Sequence, residues 1–566
     1  MCGIAGIINN YKESQLDGML ASQHHRGPDS TGKYFDKGFA ALGHNRLAII
    51  DLSAQSNQPF VDNSGRYVLV FNGEIYNYIE IKSTLHNQYD FKTESDTEVL
   101  LAAFIVYGKS CLEKFNGMFA FAIWDNQEKK LFAARDRFGV KPFYYSLSDT
   151  FCFSSEIKAI HAVGIPKEPN EKVWASYFAY GSYGLPDETF WSAIAQLPGG
   201  HFLEYDRKNL TIKKWYFFEE EVAKQTRNLT FVQAKEHYIA LLKDSINLRF
   251  RADVPVGFNI SGGLDSSVLL ALVNLQEDNS KINAYTFYTN NSDYDELPWV
   301  EKMISKTNNP LVKVLLQADE IPAFTLKMAW QQDEPFGGIP TLAYAKIFDQ
   351  ARKDKVLVLL DGQGMDEQWA GYDYYTQQNE ATIQGVLDSP YKIKMLSDIF
   401  LRKAEKPLHP KPFENEILNK QYRDLFYTKI PRALRFNDRI SMAFSTELRE
   451  PFLDYRLVEF AFSQPLDFKI SNGVTKFMLR EIASEYLADD LVFAPKRALQ
   501  TPQREWLSDD LKEWVSQCFT EIENSNFSGW FNKKELKDEL DHYFSGNIQS
   551  SFHIWQCIGL CQLIGY

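Results

Sequence analysis

Cysteine is scarce. The 566-residue chain has six, at positions 2, 111, 152, 518, 557 and 561, and none is paired as CxxC. That excludes a disulfide-built scaffold and points to a reducing compartment. Cys557 and Cys561 stand as CxxxC in an apolar helical tail without a second His/Cys cluster, which favours core packing over a metal pair. Long apolar runs are missing too. No stretch approaches about 18 uninterrupted apolar residues, so no membrane span is visible. The opening MCGIAGIINN has no basic segment ahead of its short apolar run and does not read as a signal peptide. Positive charge is in deficit: Lys and Arg total 61 against 74 Asp and Glu, a formal net charge of −13. Nucleic acids and anionic membranes are bound by clustered cations, so neither is an expected partner. A local basic site for a nucleotide stays compatible with that balance. A cytoplasmic enzyme is the expectation.

What is present is an ordinary globular composition, long enough for two to four domains at roughly 100–200 residues each. Residues 3–160 carry short apolar runs broken by polar turns: GIAGII, LAIID, YVLVFNG, FAFAIWD, KLFAARD and FCFSS. Such texture predicts a strand-rich layered domain. Helical spacing intervenes at 95–108, with Ser95 or Thr97 as cap. LPGGHFLEYD at 197–206 reads as a turn and the final strand, and polar 207–232 as a linker. From about 233 the period changes. A long amphipathic helix, the strand run VPVGFNI, the loop SGGLDSS and the helix VLLALVNL follow, with further strand-then-loop units at 283–289 and 355–364. That alternation predicts a parallel α/β sheet, and the last 200 residues read as mainly helical. The predicted division is 2–210, a β-rich layered domain, and 211–566, an α/β domain with a helical end.

Two constellations carry chemistry. Cys2 follows Met1, and a small second residue permits Met removal. A free α-amine on Cys2 would then serve as base for its own thiol. Beyond it stand His25-Arg26-Gly27-Pro28-Asp29, Gly43-His44-Asn45-Arg46-Leu47, Phe71-Asn72-Gly73-Glu74-Ile75-Tyr76-Asn77 and Ser95-Asp96-Thr97-Glu98. Singly these read as a turn, a hairpin turn or a helix cap. Together, in this order, they resemble the glutaminase domain of class II glutamine amidotransferases over about 2–205. The resemblance implies a layered α+β fold of the N-terminal-nucleophile type, with Cys2 as nucleophile. It also implies oxyanion donors at Asn72 and Gly73 and a glutamine site of Arg46, Ile50, Asn72, Gly73, Glu74 and Asp96. The residue types suit amide cleavage. Arg46 offers a bidentate fork for a carboxylate, and an amide with a glycine N–H can meet an oxyanion.

The second constellation is Ser261-Gly262-Gly263-Leu264-Asp265-Ser266-Ser267, between a strand and a helix. Backbone N–H groups at such a turn form an anion site, yet no Walker lysine is present. The loop is similar to that of enzymes that split ATP between the α- and β-phosphates. Asp361-Gly362-Gln363-Gly364-Met365-Asp366-Glu367, Glu447-Leu448-Arg449-Glu450-Pro451-Phe452-Leu453-Asp454 and Thr475-Lys476-Phe477 extend the match. With both halves in this order, the chain resembles glutamine-hydrolysing asparagine synthetases over about 2–510. The resemblance implies ATP bound by Asn259, Ser261, Gly262, Gly263, Asp265, Ser266, Phe287, Asp361 and Gly362. It implies Mg²⁺ on Asp265 and Asp366, Lys476 as catalytic cation, and ammonia passing through an apolar tunnel to an acyl-adenylate. The expected partners are small molecules: glutamine, ATP and a carboxylate acceptor. A homodimer is compatible with the sequence. One position departs from the pattern. The family has Glu where Gln363 stands, and an amide cannot act as a base. Aspartate is the leading acceptor, with another carboxylate such as a uronic acid of a surface polysaccharide as the alternative.

Overall fold

The computed structural model describes residues 2–148, 150–225, 228–275, 281–376, 389–494, 500–547 and 549–564. The N-terminal half builds two antiparallel six-stranded sheets. One runs, edge to edge, Ala195–Gln196, Tyr144–Leu147, Phe151–Ser154, Gly3–Ile8, Ala40–Arg46, Ser30–Asp36. The other runs Leu210–Lys214, His201–Tyr205, Lys130–Arg135, Gly117–Asp125, Tyr67–Ile75, Phe60–Val61. Side-chain parity makes the layers. In Gly3–Ile8, Ile4 and Ile8 join the core between the sheets, whereas Ala5 and Ile7 pack with residues of helices Glu13–Ser22 and Ile157–His161. In Tyr67–Ile75, Val68 and Val70 face the first sheet, whereas Leu69 and Phe71 pack under helices Tyr78–Leu85 and Asp96–Tyr107. Strands buried on both faces read as continuous apolar runs, hence GIAGII and YVLVF. Ser95 caps Asp96–Tyr107, its side chain accepting from Glu98 N.

The stretch expected as a linker is structured. Leu210–Lys214 pairs with His201–Tyr205 as an edge strand, so His201–Tyr205 is not the last strand and residue 210 falls inside an element. Phe218–Lys224 is a helix, and Tyr216, Phe218 and Val222 are buried. Exposed polar residues on the strand masked these anchors.

The second half holds a five-stranded parallel sheet in the order Leu311–Leu315, Ala284–Tyr288, Val256–Asn259, Val358–Leu360, Glu447–Arg449. Phe258, Val358 and Leu360 face one apolar cluster, and Tyr285, Leu359 and Leu448 face another, so helices cover both sides. From Val256–Asn259 the chain winds outward first one way and then the other. The loops after Val256–Asn259 and Val358–Leu360 diverge at that reversal, the place where open α/β sheets bind ligands. Among the described residues no helix is long and apolar enough to cross a membrane.

The two halves share a core: Leu47, Ile49, Tyr76, Met118 and Val140 pack in one cluster with Phe258, Met365 and Phe452. Buried polar contacts fix the seam. Asp454, fully buried, accepts from Arg249 (3.1 Å), Arg456 (2.8 and 3.0 Å) and Asn116 of the N-terminal half (2.9 Å). Burial alone would raise its pKa, but Arg249 and Arg456 hold it below the usual carboxylate range. Its stabilisation is therefore present above the ordinary Asp pKa of about 4 and lost as pH falls through the lower folded value. Asp454→Asn should cost about 3–5 kcal/mol, because buried guanidinium charge is left uncompensated. Urea unfolding at pH 7 and at about pH 3 checks this, and the deficit should be smaller at the lower pH, below the unfolded pKa.

Candidate active sites

Cys2 immediately precedes the buried strand Gly3–Ile8 and is 7% exposed. Its N–H donates to Asn72 Oδ1 at 2.9 Å, and Arg26 Nε donates to its carbonyl at 3.0 Å. Among the described residues the thiol's hydrogen-bonding contact is a long one, to Leu47 O at 3.9 Å. Burial raises its pKa, opposed by the amino terminus. Met1 lies outside the described residues. Asn72 and Gly73 are not a hairpin turn but the middle of strand Tyr67–Ile75, opposite Ala120 and Phe119. The Asn72 amide thus stands beside Cys2, and among the described residues its buried Nδ2 has no hydrogen-bond partner. A buried donor without an acceptor costs about 1–3 kcal/mol, and an arriving oxyanion would recover it. Gly73 has φ +154°, and a Cβ there would meet Met118 O at 2.1 Å, so only glycine keeps this strand pairing intact.

Around the thiol lie the other residues named from the first constellation. Arg46 is 6% exposed. Its guanidinium donates to Ser53 O (2.7 Å), Asn57 Oδ1 (2.8 Å), Ile50 O (3.4 Å) and Asp51 O. It therefore shapes the 50–57 loop, and Ile50 contributes its backbone. Glu74 and Asp96 are both buried. Asp96 Oδ2 accepts from Ile75 N at 2.9 Å, and Glu74 Oε2 lies 3.8 Å from Arg449 Nη2. Burial pushes Asp96 up to about 6, and burial with the neighbouring carboxylates Glu447 and Asp96 raises Glu74 well above the usual range. A pair of buried carboxyls with spare capacity suits an ammonium. His44 is held down to about 3 by burial, a neutral core imidazole bonded to Phe71 O.

The second site sits on the sheet reversal. In the first loop Ser266 Oγ bonds Ser261 O (2.8 Å), and Gly262 N donates to Glu296 Oε2 at 3.3 Å. Helix Leu264–Asn274 follows, with Asp265 in its first turn. The second loop abuts the first: a Cβ on Gly362 would lie 3.2 Å from Ser266 N. Asn259, Ser261 and Phe287 line a narrow pocket with Thr286, Tyr294 and Tyr344. Asn259 and Asp361 are buried there, beside the Tyr344 hydroxyl. Burial raises Asp361 to about 6. Lys476 joins the loops. Its Nζ is 2.7 Å from both Asp265 oxygens and from Asp366 Oδ1. Two carboxylates converging on one cation are the hard-oxygen set a divalent ion needs, with phosphate and water completing the shell. Gln363 is partly exposed on the same loop, and Glu450, buried nearby, is raised to about 8, chiefly by burial.

A glutamine amidotransferase domain family matches residues 1–216, and the asparagine synthase family matches residues 237–564, more than half of the chain. The chain belongs to the asparagine synthase family. It is similar to asparagine synthetase [glutamine-hydrolyzing] 1 of Bacillus subtilis, 28% identical across 98% of this chain and 95% of that protein. Asparagine synthetase [glutamine-hydrolyzing] 2 of the same organism is 31% identical across 88% and 71% respectively. Amidase chry2 of Gibberella zeae is 25% identical across 100% and 98%.

Sequence reasoning gave no role to four charged residues that the structure brings against the first site: Arg26, Glu156, Asp438 and Arg449. Arg26 and Arg449 lay inside quoted motifs. Asp438 and Arg449 are more than 400 and 370 positions from Cys2 and Glu74, and no local pattern joins them.

Gly371 tests the second site. A Cβ there would meet Asp366 Oδ1 at 1.9 Å and Lys476 Cε at 2.2 Å. Gly371→Ala should part the lysine from its carboxylate and lower ATP-dependent amidation by about tenfold or more. Glutamate release from glutamine should be unchanged, and both are measurable in one assay.

Proposed function

We propose that the protein is a glutamine- and ATP-dependent ligase that amidates aspartate through an acyl-adenylate. The products are asparagine, glutamate, AMP and pyrophosphate. The observation that carries the reading is one chain holding two built sites: Cys2 with the Asn72 amide, whose Nδ2 has no hydrogen-bond partner among the described residues, and Lys476 with Asp265 and Asp366 at the sheet reversal. The family and the glutamine-hydrolysing relatives support it.

In the first site, with Met1 removed, the Cys2 α-amine takes the thiol proton and the thiolate attacks the glutamine amide carbon. Asn72 Nδ2 and the Gly73 N–H receive the oxyanion. The amine returns the proton to departing ammonia, and water then releases glutamate from the thioester. Arg46 and its loop hold the α-carboxylate, and Glu74 and Asp96 the α-ammonium. In the second site the Gly262–Gly263 turn and the start of helix Leu264–Asn274 bind phosphates, and the pocket of Asn259 and Phe287 takes the adenosine. Lys476 balances charge on pyrophosphate as the acceptor carboxylate displaces it. Asp265 and Asp366 would hold Mg²⁺, which neutralises phosphate charge when bound. Ammonia crosses the shared apolar core between the sites.

Two outcomes check the reading. Incubation with glutamine, ATP and aspartate should yield AMP and pyrophosphate; ADP with phosphate would sink the adenylation step. Gln363→Glu should keep or improve asparagine formation. Pyrophosphate release on a different carboxylate and none on aspartate, in wild type and variant alike, would overturn the acceptor.

Asp96 supplies a pH test. A carboxyl raised to about 6 loses its charge below that pH. The glutamine KM should therefore climb about tenfold per unit below pH 6. Asp96→Asn should raise the KM at pH 7 and flatten that limb.

A further inference from the structure

We propose that Asp438, on the synthetase side of the seam, is a positioning residue for the Cys2 nucleophile on the other side. The proposal rests on the glutaminase reading of Cys2. Arg26 is the intermediary, fully buried. Its Nε donates to the Cys2 carbonyl at 3.0 Å. Its Nη1 and Nη2 clamp Asp438 at 2.8 and 3.1 Å, and Nη1 also reaches Glu156 at 2.9 Å. A guanidinium is planar and rigid, so fixing its two terminal nitrogens fixes where Nε points. The bidentate partner thereby aims the bond that holds the nucleophile's backbone.

Asp438 is suited to that role. Glu156 is shared by His25 (3.1 Å), Lys158 (2.5 Å) and Arg439 (3.2 Å) as well as Arg26. Asp438 gives both oxygens to Arg26, and its other cation, Lys141, is 4.0 Å away. Both partners belong to the N-terminal half. Its helix, Lys429–Met442, is anchored around the same strand. Arg439 Nη1 donates to Ser155 O (3.0 Å), and Ser155 Oγ accepts from Ile4 N (3.0 Å). Ser445 Oγ, just past the helix, donates to His25 O (2.6 Å).

The Cys2 backbone has two polar anchors, the Asn72 side chain on its N–H and Arg26 on its carbonyl. Without the Asp438 carboxylate, Arg26 keeps only a monodentate hold on Glu156, and its fork is free to turn. The Cys2 carbonyl then loses its directed donor, and the thiol shifts against the Asn72 amide. An error of about 1 Å in such a pair costs about a hundredfold in rate. Substrate binding, which uses Arg46, Glu74 and Asp96, is left intact.

The test uses the full chain carrying Asp438→Asn, which keeps shape and removes charge. Glutamate release is measured against glutamine concentration, and active sites are counted by covalent labelling with a diazoketone analogue of glutamine. The expected result is a kcat per labelled site about ten- to a hundredfold lower, with the glutamine KM within about threefold of wild type. Ammonia-driven pyrophosphate release should be unchanged. A merely structural role would lower the number of labelled sites, or both activities by one factor, and would overturn the proposal; so would an unchanged kcat per site. Should Asp438→Asn fail to fold, Arg26→Lys keeps the charge but cannot serve the carboxylate and the carbonyl together. The same kcat loss is expected there, and full activity would overturn the proposal. Wild-type protein that releases no glutamate would overturn the underlying reading along with it; normal wild-type turnover with an unaffected variant overturns the positioning role alone.

Discussion

Charge buried between the two halves is the constraint on which this molecule turns. Arg26, Arg249, Arg439 and Arg449 are each at most 3% exposed. A guanidinium so placed costs several kcal/mol unless its donors are met. Each has a counter-charge: across the seam Arg26 pairs with Asp438 and Arg439 with Glu156 and Ser155 O, whereas Arg449 pairs with Glu447 of its own strand, with Glu74 3.8 Å away across the seam, and Arg249 with Asp454 of its own half. The Arg26–Asp438, Arg439–Glu156 and Arg449–Glu74 contacts each join one half to the other. Satisfying them docks the halves in a single relative pose, which no apolar surface alone would specify.

That pose matters because the two sites are made by different physics. The thiol site lies at the start of a strand inside a helix–sheet–sheet–helix stack, where parity alone decides which atoms are buried. The proposed nucleotide site is set by topology: only where the strand order reverses do two successive loops separate, and both loops named from the sequence lie there. A shared apolar core connects them.

Much of this was legible in residues close in the chain. Apolar runs showed the strands, Ser95 its helix cap, and the two glycine loops their place after a strand. The order of short motifs carried the family. What was hidden had physical reasons. The polar faces of Leu210–Lys214 concealed an edge strand, and the true anchors were Tyr216 and Phe218 just beyond it. Asn72-Gly73 has the composition of a turn, yet Gly73 spends its freedom on an extended backbone with positive φ within a ladder. Arg46 looked like a free ligand for glutamine, but its donors also hold the carbonyls of its own loop. Asp438 and Arg449 act at a distance along the chain, and only the fold closes it.

The strand Glu447–Arg449 has a further meaning. It is the last strand of the parallel sheet, and outer strands usually advertise unpaired backbone groups to any passing chain. Here Glu447, Leu448 and Arg449 are at most 1% exposed, with Tyr76 and Glu74 of the N-terminal half lying against Arg449. The glutaminase half is thus also the cover of a sheet edge. Cut away and expressed alone, the synthetase half would bare that edge together with its orphaned charges, a template for intermolecular strand pairing. Solubility of the second half is in this sense a property supplied by the first.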